Sequence, residues 1–175
     1  MSGAVHAAGA GNVTPRGTTT AIIPVFNGEK YVAAALESVR AQTRPVEEVI
    51  VIDDGSTDST VEIVRSFPEV TLLRQANRGP AAARNLGIAQ ARSDYIALLD
   101  ADDMWTADRQ EIMAGMLDNE PSLGLVMGTQ RLLVEPGAVL PYWVPQGDPE
   151  SIDPESLPRP TPGLLVRRSV FQHFR

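Results

Sequence analysis

Cysteine is absent from this 175-residue chain. Disulfides, thiolate metal centres and cysteine nucleophiles are therefore excluded, and the redox compartment stays undetermined. Histidine is nearly absent: His6 and His173 lie near opposite ends of the sequence, which argues against a histidine-based zinc site. Lysine occurs once, as Lys30, beside 14 arginines. With a net charge of −7 and no basic patch, the chain does not read as a nucleic-acid binder. No apolar run approaches the ~18 residues of a membrane span. The start, Met1 to Thr18, is small and polar with four glycines, and lacks the charged and apolar regions of a signal peptide. These features give the expectation of a flexible tail over residues 1–18 and a cytoplasmic domain after it, with peripheral attachment at the inner face of the membrane left open.

Hydrophobic residues make up 43% of the chain, enough for one sizeable core. Apolar runs and amphipathic stretches alternate along it. Strands are expected at 19–26, 49–52, 70–74, 95–99 and 123–127, with another proposed at 131–135. Between them lie helical faces formed by Val32, Leu36 and Val39, by Val61, Val64 and Phe67, and by Ile112, Met113, Met116 and Leu117. Asn27 is expected to cap the first helix. The second should start near Ser56 or Thr57, with Ser59 and Glu62 resembling a capping box, and Pro68 should end it. Gly79-Pro80 should open the third, where proline's missing N–H costs nothing. Thr106 is placed as cap of the fourth. The alternation implies an α/β fold, a mostly parallel sheet covered by helices on both faces. Right-handed crossovers then place every strand-to-helix turn at one edge.

Two acidic turns stand out at that edge. Asp53-Asp54-Gly55-Ser56-Thr57-Asp58 follows Val49-Ile50-Val51-Ile52, and Asp100-Ala101-Asp102-Asp103 follows Tyr95-Ile96-Ala97-Leu98-Leu99. Carboxylates so close repel unless a cation or water neutralises them. Asp54 and Asp100 are 46 residues apart in sequence, yet the topology should bring them together. An Asp-x-Asp after an apolar strand suits Mg²⁺ or Mn²⁺ with phosphate oxygens completing the shell. The plainer reading is a solvated, helix-capping turn. A phosphatase of the haloacid type is disfavoured, because Met104 stands where threonine or valine belongs. A calcium loop is rejected, because Gly55 is third after Asp53 and not sixth. Asp58 reads best as a cap of the next helix. Phe26 is read either as core or as a stacking platform for a planar base. Arg78 and Arg84 are either phosphate contacts or solvated surface.

Together these segments resemble family 2 glycosyltransferases from Thr20 to about Leu117. The resemblance is carried by Ile23-Pro24-Val25-Phe26-Asn27, Leu36-Glu37-Ser38-Val39 with Gln42-Thr43, and Val51 to Asp58. Asn77 to Gly87, Leu99 to Asp103, and Trp105, Asp108 and Arg109 complete it. It implies the GT-A fold, a nucleotide-diphosphosugar donor, a saccharide or lipid-linked acceptor, and inverting transfer. It also implies that Pro24 and Phe26 line the base pocket, Asp54 binds the base, Arg84 contacts the donor and Asp100 lies by the ribose and diphosphate. Asp102 would ligate the divalent metal, with Asp100 and Asp103 beside it. Ala107 and Gln110 depart from the family's usual proline and leucine.

The family's catalytic base usually lies beyond the segment matched by Arg167 to Phe171, so the base is expected past Arg175. Hence residues 19–135 are expected to form the donor-binding core. Residues 136–175 are expected to be a proline-rich loop and an incomplete acceptor side; eight of the 14 prolines fall between Pro136 and Pro162. A donor-binding module without transfer activity is the alternative. A nucleotidyltransferase is disfavoured, since Asn27-Gly28-Glu29-Lys30 is no glycine-rich basic loop.

Overall fold

The computed structural model describes residues 16–129 and 163–172, so the strand expected at 131–135 and the proline-rich stretch lie outside the described residues. Four strands, β1 (Thr19–Val25), β2 (Glu48–Asp53), β3 (Val70–Arg74) and β4 (Tyr95–Leu98), pair in parallel in the order β3-β2-β1-β4. Their crossovers contain α1 (Val32–Arg40), α2 (Thr60–Arg65) and α3 (Pro80–Gln90). After β4 come α4 (Arg109–Asn119) and β5 (Leu125–Met127), and later β6 (Leu164–Arg167) and the short α5 (Arg168–Phe171). The sequence reading expected a mostly parallel sheet and did not identify 164–167 as a strand of it. In the structure β6 enters between β4 and β5, antiparallel to both.

Alternation of side chains along each strand explains the two-sided core. Ala21, Ile23 and Val25 of β1 join Val51 and Ala97 on the face covered by α1 and α4. Ile22, Ile50, Ile52, Ile96 and Leu98 occupy the opposite face, against Ala83 of α3. Pro24 sits in central β1 without disrupting the ladder to β4, because that pairing ends at Ile22↔Leu98. Gly87 allows α3 to lie close to the sheet. A methyl group there would come within 2.6 Å of Ile22 Cγ2 and 2.7 Å of Ile52 Cδ1. Gly87→Ala is therefore expected to lower stability by about 1–3 kcal/mol, measured by urea unfolding, as overpacking of a filled core does.

Three helix expectations need correction. Asn27 does not cap α1, whose N-cap is Tyr31 without a side-chain bond. Asn27 adopts a positive φ of 49° and turns its amide to the next loop, where Oδ1 accepts from Thr57 N at 2.8 Å. α2 starts at Thr60 and ends at Arg65, before Pro68, and the Ser59–Glu62 box does not form. The side chains of Ser56, Asp58 and Thr60 bond to loop backbone instead, which holds the preceding residues out of the helix. On α4 the buried face is Gln110, Met113, Ala114 and Leu117, while Ile112 and Met116 are half-exposed. Its N-cap is Asp108, not Thr106. Gln110 belongs in the core because its Nε2 donates to Thr19 Oγ1, so the departure from leucine has a polar partner on β1.

A second polar cluster fastens the opposite rim. Arg44 and Asp118 form an ion pair at 2.7 Å with side chains 5% and 8% exposed. Asp118 also accepts from Gly17 N and the Tyr95 hydroxyl. Burial pushes the Asp118 carboxyl up, but the bonds from Arg44, Gly17 and Tyr95, with the Arg44 charge, outweigh it and hold it below its ordinary value. Residues 16–18, assigned by sequence to the tail, are tied here, since Thr18 N and Oγ1 both donate to Asp94.

Candidate functional site

The parallel register brings the ends of β1, β2 and β4 to one rim, with Val25↔Asp53 and Ile22↔Leu98 marking their last pairs. Strand alternation sends the adjacent carboxylates of β2 to opposite faces. Asp53, fully buried, turns to the α2 side, where it accepts from Ser56 N at 3.0 Å and pairs with Arg74 Nε at 2.9 Å. Asp54 turns to the α3 side. Its Oδ1 accepts from Gln75 Nε2 at 2.7 Å and Arg78 N at 2.9 Å, and its Oδ2 from Gly79 N at 2.7 Å. A carboxylate just past β2 thus caps α3, whose own N-cap, Gly79 at φ 87°, has no side chain. Burial acts to raise the Asp54 pKa, yet the donors from Gln75, Arg78 and Gly79 and the Arg78 charge hold it below its ordinary value. Three donors occupy about three of its roughly four lone-pair directions.

The second acidic turn meets the same helix. Arg84, on the second turn of α3, pairs with Asp100 at 2.5 Å. Hence α3 joins the two turns: Asp54 holds its start and Arg84 reaches Asp100. This is the convergence that the strand order required. Arg84 Nε remains buried without a hydrogen-bond partner among the described residues. Within the second turn, Asp103 N donates to Asp100 O, and the Asp102 side chain is exposed. Burial, then the charges of Asp102 and Asp100, push Asp103 up to about 6. Burial and two neighbouring carboxylates both disfavour the charged form of Asp103.

Phe26 is 50% exposed beyond the end of β1, so it is not core, whereas Pro24 is buried. The loop holding Phe26 is fastened by interlocking bonds that the sequence reading missed. Asn27 N donates to Ser56 Oγ, Gly28 N to Thr60 Oγ1 and Glu29 N to Asp58 Oδ2. Ser59 N in return donates to Glu29 Oε2. Asp58 accepts from Thr60 N as well, so the capping role read from sequence is present alongside a second, inter-loop role. The run of serine, threonine and aspartate after Asp54 was the available signal, since such side chains bond to loop backbone.

No group of three or more His, Asp or Glu positioned to hold a metal exists among the described residues. The donor set nonetheless fits a hard cation of the Mg²⁺ class, which takes one or two carboxylates and completes its shell with substrate phosphate and water. Asp102 and Asp103 are the available carboxylates, Asp100 being shared with Arg84. Beyond the turn, Trp105 is 7% exposed and lies under the Arg109 guanidinium, 4.1 Å from its ring centroid. Burial lowers the Arg109 pKa to about 10. Two hollows, of about 190 and 330 Å³, open at the opposite rim beside Val49 and Val70 and beside Tyr95 and Asp118. Neither adjoins the acidic turns.

Comparison with known proteins bears on the family and the fold. The family model described as Glycosyl transferase family 2 matches residues 20–171. An uncharacterized glycosyltransferase of Rickettsia felis is 43% identical over 100 residues, covering 55% of this chain and 17% of that protein. Escherichia coli YibD, also named an uncharacterized glycosyltransferase, is 45% identical over 86 residues, 47% of this chain and 25% of its own length. Among solved structures, S. aureus TarS 1–349 superposes with a TM-score of 0.70 at 24% identity, over 90% of this chain and 49% of that one. A Pyrobaculum calidifontis mannosyltransferase, solved with GDP-Man and Mn²⁺, gives a TM-score of 0.60 at 30% identity, over 67% of this chain and 37% of that one. The chain thus spans half or less of the length of each of these proteins. The shared architecture is the GT-A fold.

Proposed function

Because this chain belongs to glycosyl transferase family 2, we propose that its acidic rim binds a nucleoside-diphosphosugar, a UDP-sugar first, and serves glycosyl transfer to an acceptor hydroxyl. The observation that carries the reading is the convergence of Asp54 and Asp100 on α3, through Gly79 and Arg84. Exposed Phe26 offers a face on which a base stacks, and Pro24 is read as part of the same pocket. Asp54, held ionised, orders the backbone beside that base and has about one lone pair left for a base N–H. In this reading Arg84 and Asp100 contact the ribose and diphosphate. Asp102 and Asp103 would hold Mn²⁺ or Mg²⁺. Such an ion, when bound, neutralises the charge that develops on the leaving diphosphate.

The transfer we propose is a single displacement with inversion. The acceptor oxygen bonds to the anomeric carbon as the bond to diphosphate breaks, and the acceptor proton passes to a carboxylate. No described residue is assigned as that base. A role in polysaccharide or glycoconjugate synthesis is part of the proposal, as is an acceptor that is a saccharide or lipid-linked. None of the described helices is long and apolar enough to cross a membrane.

Support for the donor class comes from solved TarS complexes with UDP and UDP-GlcNAc and from the GDP-Man complex of the mannosyltransferase. Calorimetric titration of the chain with UDP, GDP and ADP, each with Mn²⁺, tests it. UDP is expected to bind most tightly, at least about tenfold above ADP, a difference of about 1.4 kcal/mol. Equal affinity for the three would remove the base pocket from the reading.

A further inference from the structure

The acidic turn is fixed on one side by β4, where Leu99 N donates to Ile22 O, and by the Arg84–Asp100 pair. Its other side leads into residues 104–108, which belong to no helix or strand. Side chains on the last turn of α1 and just after it supply the order there. Ser38 Oγ accepts from Trp105 N at 3.1 Å while donating to Ala35 O at 2.7 Å. Gln42 is 6% exposed and uses both ends of its amide. Its Nε2 donates to Thr106 O at 2.8 Å and Ser38 O at 3.0 Å, and its Oε1 accepts from Gln110 N at 2.9 Å. Beside them Thr43 N donates to Ala107 O at 2.8 Å.

We propose that Ser38 and Gln42 are positioning residues for the donor site, holding Asp102 and Asp103 in place through the backbone of Trp105, Thr106 and Gln110. The inference deepens the donor-site reading and rests on it. Neither side chain touches the acidic turn directly. What they fix is the path by which the chain leaves it, three residues after Asp102 and two after Asp103. Both are required in kind. Gln42 faces a carbonyl of the exit segment and an N–H of α4, so only a side chain with a donor and an acceptor satisfies both. Ser38, on the last turn of α1, stands four residues before Gln42, which follows the helix, and accepts the N–H of Trp105 next to the Thr106 carbonyl that Gln42 contacts. Asp100, Asp102 and Asp103 crowd one short turn, and like charges that close repel, so an unheld exit segment would let them separate. The exit then relaxes at the expense of cation geometry.

The test compares wild type, Ser38→Ala and Gln42→Met by calorimetric titration of UDP with and without Mn²⁺, alongside thermal melting. The quantity read is the gain in UDP affinity that Mn²⁺ confers. Each variant is expected to lose about tenfold or more of that gain, the scale seen when groups supporting metal ligands are removed. UDP affinity without Mn²⁺ should be unchanged. Ser38→Ala keeps a good helix former on α1 and should fold even where Gln42→Met does not. A lower Tm with the wild-type gain retained in Ser38→Ala, or in a folded Gln42→Met, would make the contacts merely structural and overturn the proposal. Absence of any Mn²⁺-dependent UDP binding by wild type would overturn the donor-site reading together with it.

Discussion

Asp102→Ala is expected to abolish the Mn²⁺-dependent part of UDP binding and leave the fold intact. Asp102 is exposed on the turn between β4 and the segment leading to α4, so truncating it opens no cavity. Its charge contributes to pushing Asp103 up to about 6, and removing it relieves that repulsion. Thermal stability should therefore stay within about 0.5 kcal/mol of wild type, as for surface changes generally. Binding should respond very differently. Loss of groups that merely support a ligand costs about tenfold to a hundredfold in metal affinity, and loss of a proposed ligand should reach at least about a hundredfold. Calorimetry of UDP with Mn²⁺ reads the difference, and with Mn²⁺ omitted the two proteins should match. Equal Mn²⁺-dependent affinity in wild type and variant would remove Asp102 from the cation site.

The largest effect on stability is expected far from that rim. Asp118→Asn leaves the Arg44 guanidinium, 5% exposed, without its counter-charge. Breaking a buried pair by removing one partner costs about 3–5 kcal/mol, a large share of the ~5–15 kcal/mol that holds a domain together. Urea unfolding at neutral pH measures it, and a loss under about 1 kcal/mol would count against a buried, working pair. The pH dependence carries a definite sign. Asp118 titrates below its ordinary value of 3.8 in the folded chain, so the folded state holds fewer protons there than the unfolded one. Its contribution is complete above the unfolded pKa and disappears as pH falls through the folded one. The gap between wild type and Asp118→Asn should narrow below about pH 4, because a protonated aspartate resembles the asparagine.

Much of the parallel half was legible because its signals are local. Apolar runs marked β1 to β4, Gly79-Pro80 marked the start of α3, and crossover handedness implied that Asp54 and Asp100 share one rim. What escaped depends on partners distant in sequence. The core side of α4 was misassigned because Gln110 looks polar and Ala114 small, and only contact with Thr19 and the sheet makes them interior. In sequence Asp53 and Asp54 read as neighbours on one acidic turn. Strand alternation instead sends Asp53 to Arg74 and Asp54 to the backbone of Arg78 and Gly79. Asn27 looked like a helix cap, because the loop it actually bonds lies 30 residues onward. The segment 164–167 escaped as a strand, because no periodicity states that four residues after a proline-rich stretch will pair antiparallel with strands far earlier in the chain.

The late arrival of β6 has a consequence for how the chain is made. β1 to β4 and their helices can assemble as residues 19–98 emerge from the ribosome, each crossover closing a short span. Among the described residues β5 pairs with β6 alone, whose residues are synthesised about 36 positions after it. Until they appear, one side of β4 has bare amides and carbonyls, an invitation to strands of other nascent chains. Pauses in translation just before residue 164 should thus be the moment of greatest aggregation risk.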